Sequence, residues 1–138
     1  MNDWHTRVQR PQQLARALAA RGYRCFYLNP NLGREFPYPV CLGNPSRLNR
    51  LEENIWEIHA GLPREPVFHH RLLRQAESDR VAADILRVLG AFQTERLVVV
   101  NQFPLWNKAC LQIRKHYPTC VIYDCHDLLS GFLNIAPE

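Results

Sequence analysis

The chain has 138 residues, 46% hydrophobic and 22% charged, with a formal net charge of +4. That is the size and balance of one soluble domain, able to bury a core without a disulfide or a metal. Of its 17 basic residues only Lys108 and Lys115 are lysines; the arginine bias suits an anionic ligand or a lipid headgroup surface, but the arginines are scattered with no basic run, so nucleic acid is not an expected partner.

The chain order opens on MNDWHTRVQR, which is polar and no targeting segment. Pro11 then suits the first position of a helix running to about Arg21, with Leu14, Ala17, Leu18 and Arg21 at helical spacing and Gly22 as a stop. Arg10 is a poor N-cap, so something other than a cap at that residue is expected to hold the helix start. Arg24–Leu28 reads as a short buried strand. Residues 29–50 hold four of the ten prolines and two glycines and read as a long loop. In 54–60, Ile55, Glu57 and His59 alternate with Trp56, Ile58 and Ala60, the period of a half-buried strand.

A second helix is expected over about Leu73–Phe92, where Val81, Ile85, Leu89 and Phe92 line one face and Leu86 and Val88 widen it. Arg96–Val100 is a near-continuous apolar run, as in a strand buried on both faces by helices. Leu105–His116 reads as a third helix with Trp106, Ala109 and Ile113 towards the core, and Cys120–Tyr123 as the last strand. The alternation implies an α/β fold: one domain over residues 1–138, with a parallel sheet and helices on both faces.

No apolar run approaches a membrane span. Cys25, Cys41, Cys110, Cys120 and Cys125 form no C-x-x-C pair and read as reduced, mostly buried thiols of a cytoplasmic protein. Neither a metal nor a cofactor is expected: Cys120, Cys125 and His126 lack a ligand spacing, and there is no G-x-G-x-x-G, P-loop or G-x-S-x-G. His69–His70 reads as a loop pair, and Trp56 and Trp106 as core or half-core aromatics, whereas Trp4, flanked by polar residues, is expected to be exposed.

In open parallel sheets ligands bind beyond the carboxyl ends of the strands. Asn101–Gln102 and Asp124–Asp127 follow strands in that way, and Trp4–Arg10 precedes the first helix, whose backbone N–H groups can face an anion. In a parallel sheet these three segments converge on one side. His126 and Asp127 are the sharpest candidates, since an imidazole beside a carboxylate can deprotonate a hydroxyl; the plain alternative is a capped turn with a solvated histidine.

Two segments carry a resemblance. WHTRVQRPQQLARALAARGYRCFYLNP is similar to the opening of bacterial group 4-like glycosyltransferases of the GT-B fold, and VIYDCHDLLSGF resembles the Y-D-C-x-D segment that ends a later strand in them; VVVNQFPLW falls where the family has a strand and then a helix. The resemblance implies a Rossmann-like N-terminal half that holds the acceptor, a glycan or a lipid-linked molecule, while a C-terminal domain holds the nucleotide-sugar donor. It implies His126 and Asp127 as catalytic or acceptor-positioning residues, with Trp4, His5, Arg7, Arg10, Asn101, Gln102 and Asp124 lining the cleft. A place at the inner face of the membrane, with peripheral contact, is part of the same expectation. The family also has a strand before the tryptophan and a donor half after the segment that ends here, so the chain reads as part of a two-domain enzyme, inactive alone. Without the first strand, its neighbours should pair directly, or residues 1–9 or another chain should fill the gap. A non-catalytic interaction domain on the same fold, and a flavodoxin-like ligand-binding module, are the competing expectations.

Overall fold

A computed structural model describes residues 4–5, 8–29, 40–41, 47–60 and 72–125. They form a mixed α/β protein in two compact units, Met1–Glu65 and Pro66–Glu138.

In the first unit, helix α1 (Arg10–Ala19) is followed by β1 (Cys25–Leu28), β2 (Val40–Cys41), β3 (Arg47–Glu52) and β4 (Ile55–His59). Gln9 is the N-cap, and the Gln12 side chain reaches back to accept its N–H at 3.0 Å, so a residue three places into the helix supplies what Arg10 could not. Gly22 ends the helical segment at φ +88, a conformation glycine adopts without cost. The buried line of α1 passes through Gln12 and Ala19, with Ala15 and Arg16 half-buried between them, while Ala17 and Arg21 are exposed. The helix is therefore rotated from the face marked by its apolar residues, because a buried glutamine stands on the contact side.

The four strands make one sheet in the order β1-β4-β3-β2. β1 and β4 are parallel, whereas β3 runs antiparallel to both β4 and β2. The sheet is thus mixed, not all parallel, and the stretch expected as loop contributes two strands. RLNRLE escapes a period-two reading because Leu48 and Leu51 are three apart, and the β3–β4 register shifts between Arg50 and Glu52. The Glu53–Asn54 turn places Asn54 at φ 59, which asparagine tolerates better than most residues.

In the second unit α2 (Gln75–Ala91) packs on α3 (Asn107–Arg114), and α3 packs on the parallel pair β5 (Leu97–Asn101) and β6 (Thr119–Tyr123). The Glu77 carboxylate accepts the Arg74 N–H at 2.7 Å at the start of α2. Val81, Val88 and Leu89 are buried and Ile85, Leu86 and Phe92 half-buried, as the helical period requires. A 3-10 turn, Pro104–Trp106, leads into α3, and Trp106, Ala109 and Ile113 are buried with Cys110.

β5 is not buried on both faces: Val98 is 58% exposed, and Ile122, on the same face of β6 as Val98's partner Cys120, is 48% exposed. These two strands pair with each other, and among the described residues of this unit β5 has one strand neighbour. The described residues before α1, 4–5 and 8–9, form no strand. Cys110 is buried, Cys25 half-buried, and Cys120 and Cys125 are exposed, which corrects the expectation of mostly buried thiols. No helix among the described residues is long and apolar enough to cross a membrane.

Candidate functional site

Parallel strands place register partners on the same face. Cys25↔Ile55 and Tyr27↔Glu57 therefore define one face of the β1–β4 pair, and by alternation Asn29 and His59 extend it at the carboxyl ends. Helix α1 covers this face: the Cys25 thiol contacts the Ala15 carbonyl oxygen at 3.4 Å. Burial pushes that thiol up from its ordinary pKa.

At the far end of this face lies a buried polar group. Glu57, Asn29 and His59 are inaccessible to solvent or nearly so, and Asn49, the β3 register partner of Glu57, is buried beside it. The Asn29 side-chain N–H donates to Glu57 Oε1. Glu57 Oε2 is 3.0 Å from His59 Nε2 and 3.2 Å from His5 Nε2. Both carboxylate oxygens thus have partners, which a buried carboxylate requires if it is to stay charged. Burial by itself pushes the Glu57 pKa up. The His59 ring beside it and that ring's charge, with the hydrogen bonds from Asn29 and His5, outweigh it and bring the carboxyl below its ordinary range.

His5 is the group's only member with an open side chain, 51% exposed. Its neighbour Trp4 is half-buried, not exposed: its ring meets Tyr27 edge-on at 5.1 Å, and the Arg16 guanidinium sits 5.2 Å from the ring centroid. Arg16 also grips Glu52 at 2.9 and 2.6 Å, which raises its pKa by hydrogen bonding and charge against the lowering effect of desolvation. The segment before α1 is therefore tied to the sheet at two adjacent residues.

The second unit holds a simpler arrangement at the end of its parallel pair. Asn101 is buried; its side-chain oxygen accepts the Phe103 N–H at 3.1 Å and its main-chain oxygen accepts the Asp124 N–H at 3.0 Å. Asn101 thus shapes the chain's exit from β5. Gln102 Nε2 donates to Asp124 Oδ2 at 3.1 Å, joining the loops after β5 and β6. The Tyr123 hydroxyl, hydrogen-bonded to Cys125, is raised in pKa by that bond, by desolvation and by the thiol's charge.

Of the residues singled out from sequence, Trp4, His5 and Arg10 belong to the first unit, and Asn101, Gln102 and Asp124 to the second. Gln102 and Asp124 are brought into contact, and Arg10 is exposed in the first turn of α1. Arg7, His126, Asp127 and the pair His69–His70 lie outside the described residues. Asn29, Glu57 and His59 were not singled out. The signal available for two of them was a carboxylate and an imidazole two apart in a strand, sharing a face with Ile55. Among the described residues, no group of three or more His, Cys, Asp or Glu side chains is arranged to hold a metal ion. No known protein family, curated protein or solved structure matches the chain.

Proposed function

We propose that the chain is the acceptor-side domain of a glycosyltransferase, related to the Rossmann-like N-terminal half of GT-B enzymes. The observation that carries this reading is the placing of polar side chains at the carboxyl ends of both parallel strand pairs. Asn29 and His59 stand at the end of β1 and β4, and Gln102 and Asp124 at the end of β5 and β6. Ligands of α/β sheets bind at those ends. The strand positions expected from the alternation of helical and strand periods, near 24–28, 54–60, 96–101 and 119–124, coincide with β1, β4, β5 and β6.

In this reading the acceptor is a glycan or a lipid-linked molecule with a free hydroxyl, and His126 and Asp127, next to Asp124, position or deprotonate it. The nucleotide-sugar donor is held by a second domain, and the enzyme works at the inner face of the membrane. The 138-residue chain alone then transfers no sugar, because transfer needs both substrates held together.

Two measurements test the proposal. Titrating the isotope-labelled chain with short glycans and with a short-chain polyprenyl phosphate should move the backbone resonances of Gln102 and Asp124 for one of these classes. Incubation with nucleotide sugars plus acceptor should give no product. Turnover by the chain alone contradicts the division of labour. Indifference to every acceptor class removes the acceptor assignment in favour of a non-catalytic interaction domain.

A further inference from the structure

Gln102 and Asp124 follow neighbouring strands with their backbones held. The Asp124 N–H donates to the Asn101 main-chain oxygen, and the Asn101 side chain accepts the Phe103 N–H. Gln102 is therefore flanked on both sides by fixed, buried residues. Its own side chain and that of Asp124 are half-buried and meet at 3.1 Å. Polar atoms held in this way meet a ligand at little ordering cost.

The pair has a chemical polarity. A carboxylate only accepts hydrogen bonds, whereas a side-chain amide carries a donor and an acceptor on adjacent atoms. Here Gln102 Nε2 donates to Asp124 Oδ2. A group that replaces this bond satisfies both atoms only if it accepts from the amide and donates to the carboxylate. A hydroxyl does both. An ether oxygen has nothing to donate, and an ionised phosphate meets the carboxylate with like charge. With one hydroxyl seated between Nε2 and Oδ2, a hydroxyl on the next ring carbon reaches Gln102 Oε1. The two amide atoms and two neighbouring ring hydroxyls are similarly spaced.

We infer that Gln102 and Asp124 are specificity-determining residues that recognise a vicinal pair of hydroxyls on a neutral sugar ring. The inference rests on the acceptor-domain reading above and narrows it: the part of the acceptor held here is a glycan, not a polyprenyl phosphate. Asn101 keeps its structural role, since both its side-chain and main-chain oxygens are committed to the turn.

The test uses the isotope-labelled 138-residue chain. It is titrated with short glycans and methyl pyranosides, and then with deoxy and O-methyl derivatives of whichever sugar binds. The Gln102 side-chain amide and the Asp124 backbone resonances should move together. Removing or methylating either hydroxyl of one adjacent pair should weaken binding roughly tenfold or more, and changes elsewhere on the ring should matter far less. Gln102→Ala should fold as the wild type does and lose the preference for that pair. Binding that survives loss of every adjacent hydroxyl pair overturns the inference without any variant being needed. So does a polyprenyl phosphate that moves these resonances when no sugar does, although the acceptor-domain reading then stands. Indifference to sugars and polyprenyl phosphate alike overturns both.

Discussion

The two parallel strand pairs end in polar groups of different build. At the end of β1 and β4 a carboxylate is buried and engaged by three side chains. At the end of β5 and β6 one half-buried carboxylate meets one amide. The first arrangement is costly to assemble and more costly to break, because the Asn29 and His59 side chains around the carboxylate are buried away from water. The second can exchange its hydrogen bond for solvent. Rigid polar groups suit a fixed chemical task; a solvent-facing pair suits a ligand that displaces its water.

The comparison is broken or sharpened most by Glu57→Leu. This variant keeps the volume but removes the carboxylate that the buried Asn29 and His59 side chains face, and should cost about 3 kcal/mol in urea unfolding. A loss comparable to that of an exposed residue would show that the buried group carries no special weight.

Acid sharpens it next. Burial raises the Glu57 pKa and its partners lower it by more, so the folded value lies below the unfolded one. Its contribution to stability is complete above the ordinary glutamate range and is lost as pH falls through that range to the folded value. The stability gap between wild type and Glu57→Gln should therefore narrow steadily in chemical unfolding below about pH 4.5. A gap that widens towards acid would reverse the sign of the shift.

Arg16→Ala should lie between the extremes. It removes a part-exposed ion pair with Glu52 and the contact with the Trp4 ring, together worth roughly 1 kcal/mol. Increased solvent quenching of Trp4 fluorescence should accompany it. The smallest effect is expected of Gln102→Ala, below about 0.5 kcal/mol by thermal unfolding, since both ends of its hydrogen bond reach solvent. If Gln102→Ala costs as much as Glu57→Leu, the contrast between the two ends disappears.

The four strands expected from sequence are present because each is a run of apolar or alternating residues bounded by turn residues. β3 was illegible because its leucines are out of step and its pairing contains an irregularity. The mixed direction of the first sheet was hidden with it: without β3, the link from β1 to β4 reads as a crossover between parallel neighbours. The candidate site was legible only in part. His5, Gln102 and Asp124 were named from their positions next to elements, whereas Glu57 and His59 sit inside a strand, where a polar side chain ordinarily faces water. Asn29 looked like the first residue of a loop, although its N–H still joins the ladder to Ile58.

The topology of the first sheet also implies an order of assembly. β3 and β4 are joined by two residues, and such hairpins close in microseconds. Pairing β1 with β4 must close a stretch of about thirty residues, a slower event. The hairpin thus forms first and offers β4 as a template, with Glu57 still hydrated. Its carboxylate loses water only when β1 arrives, and β1 brings Asn29 with it. The donor that Glu57 needs and the strand that buries it are delivered by the same movement, so the charge is never left buried on the way to the native state.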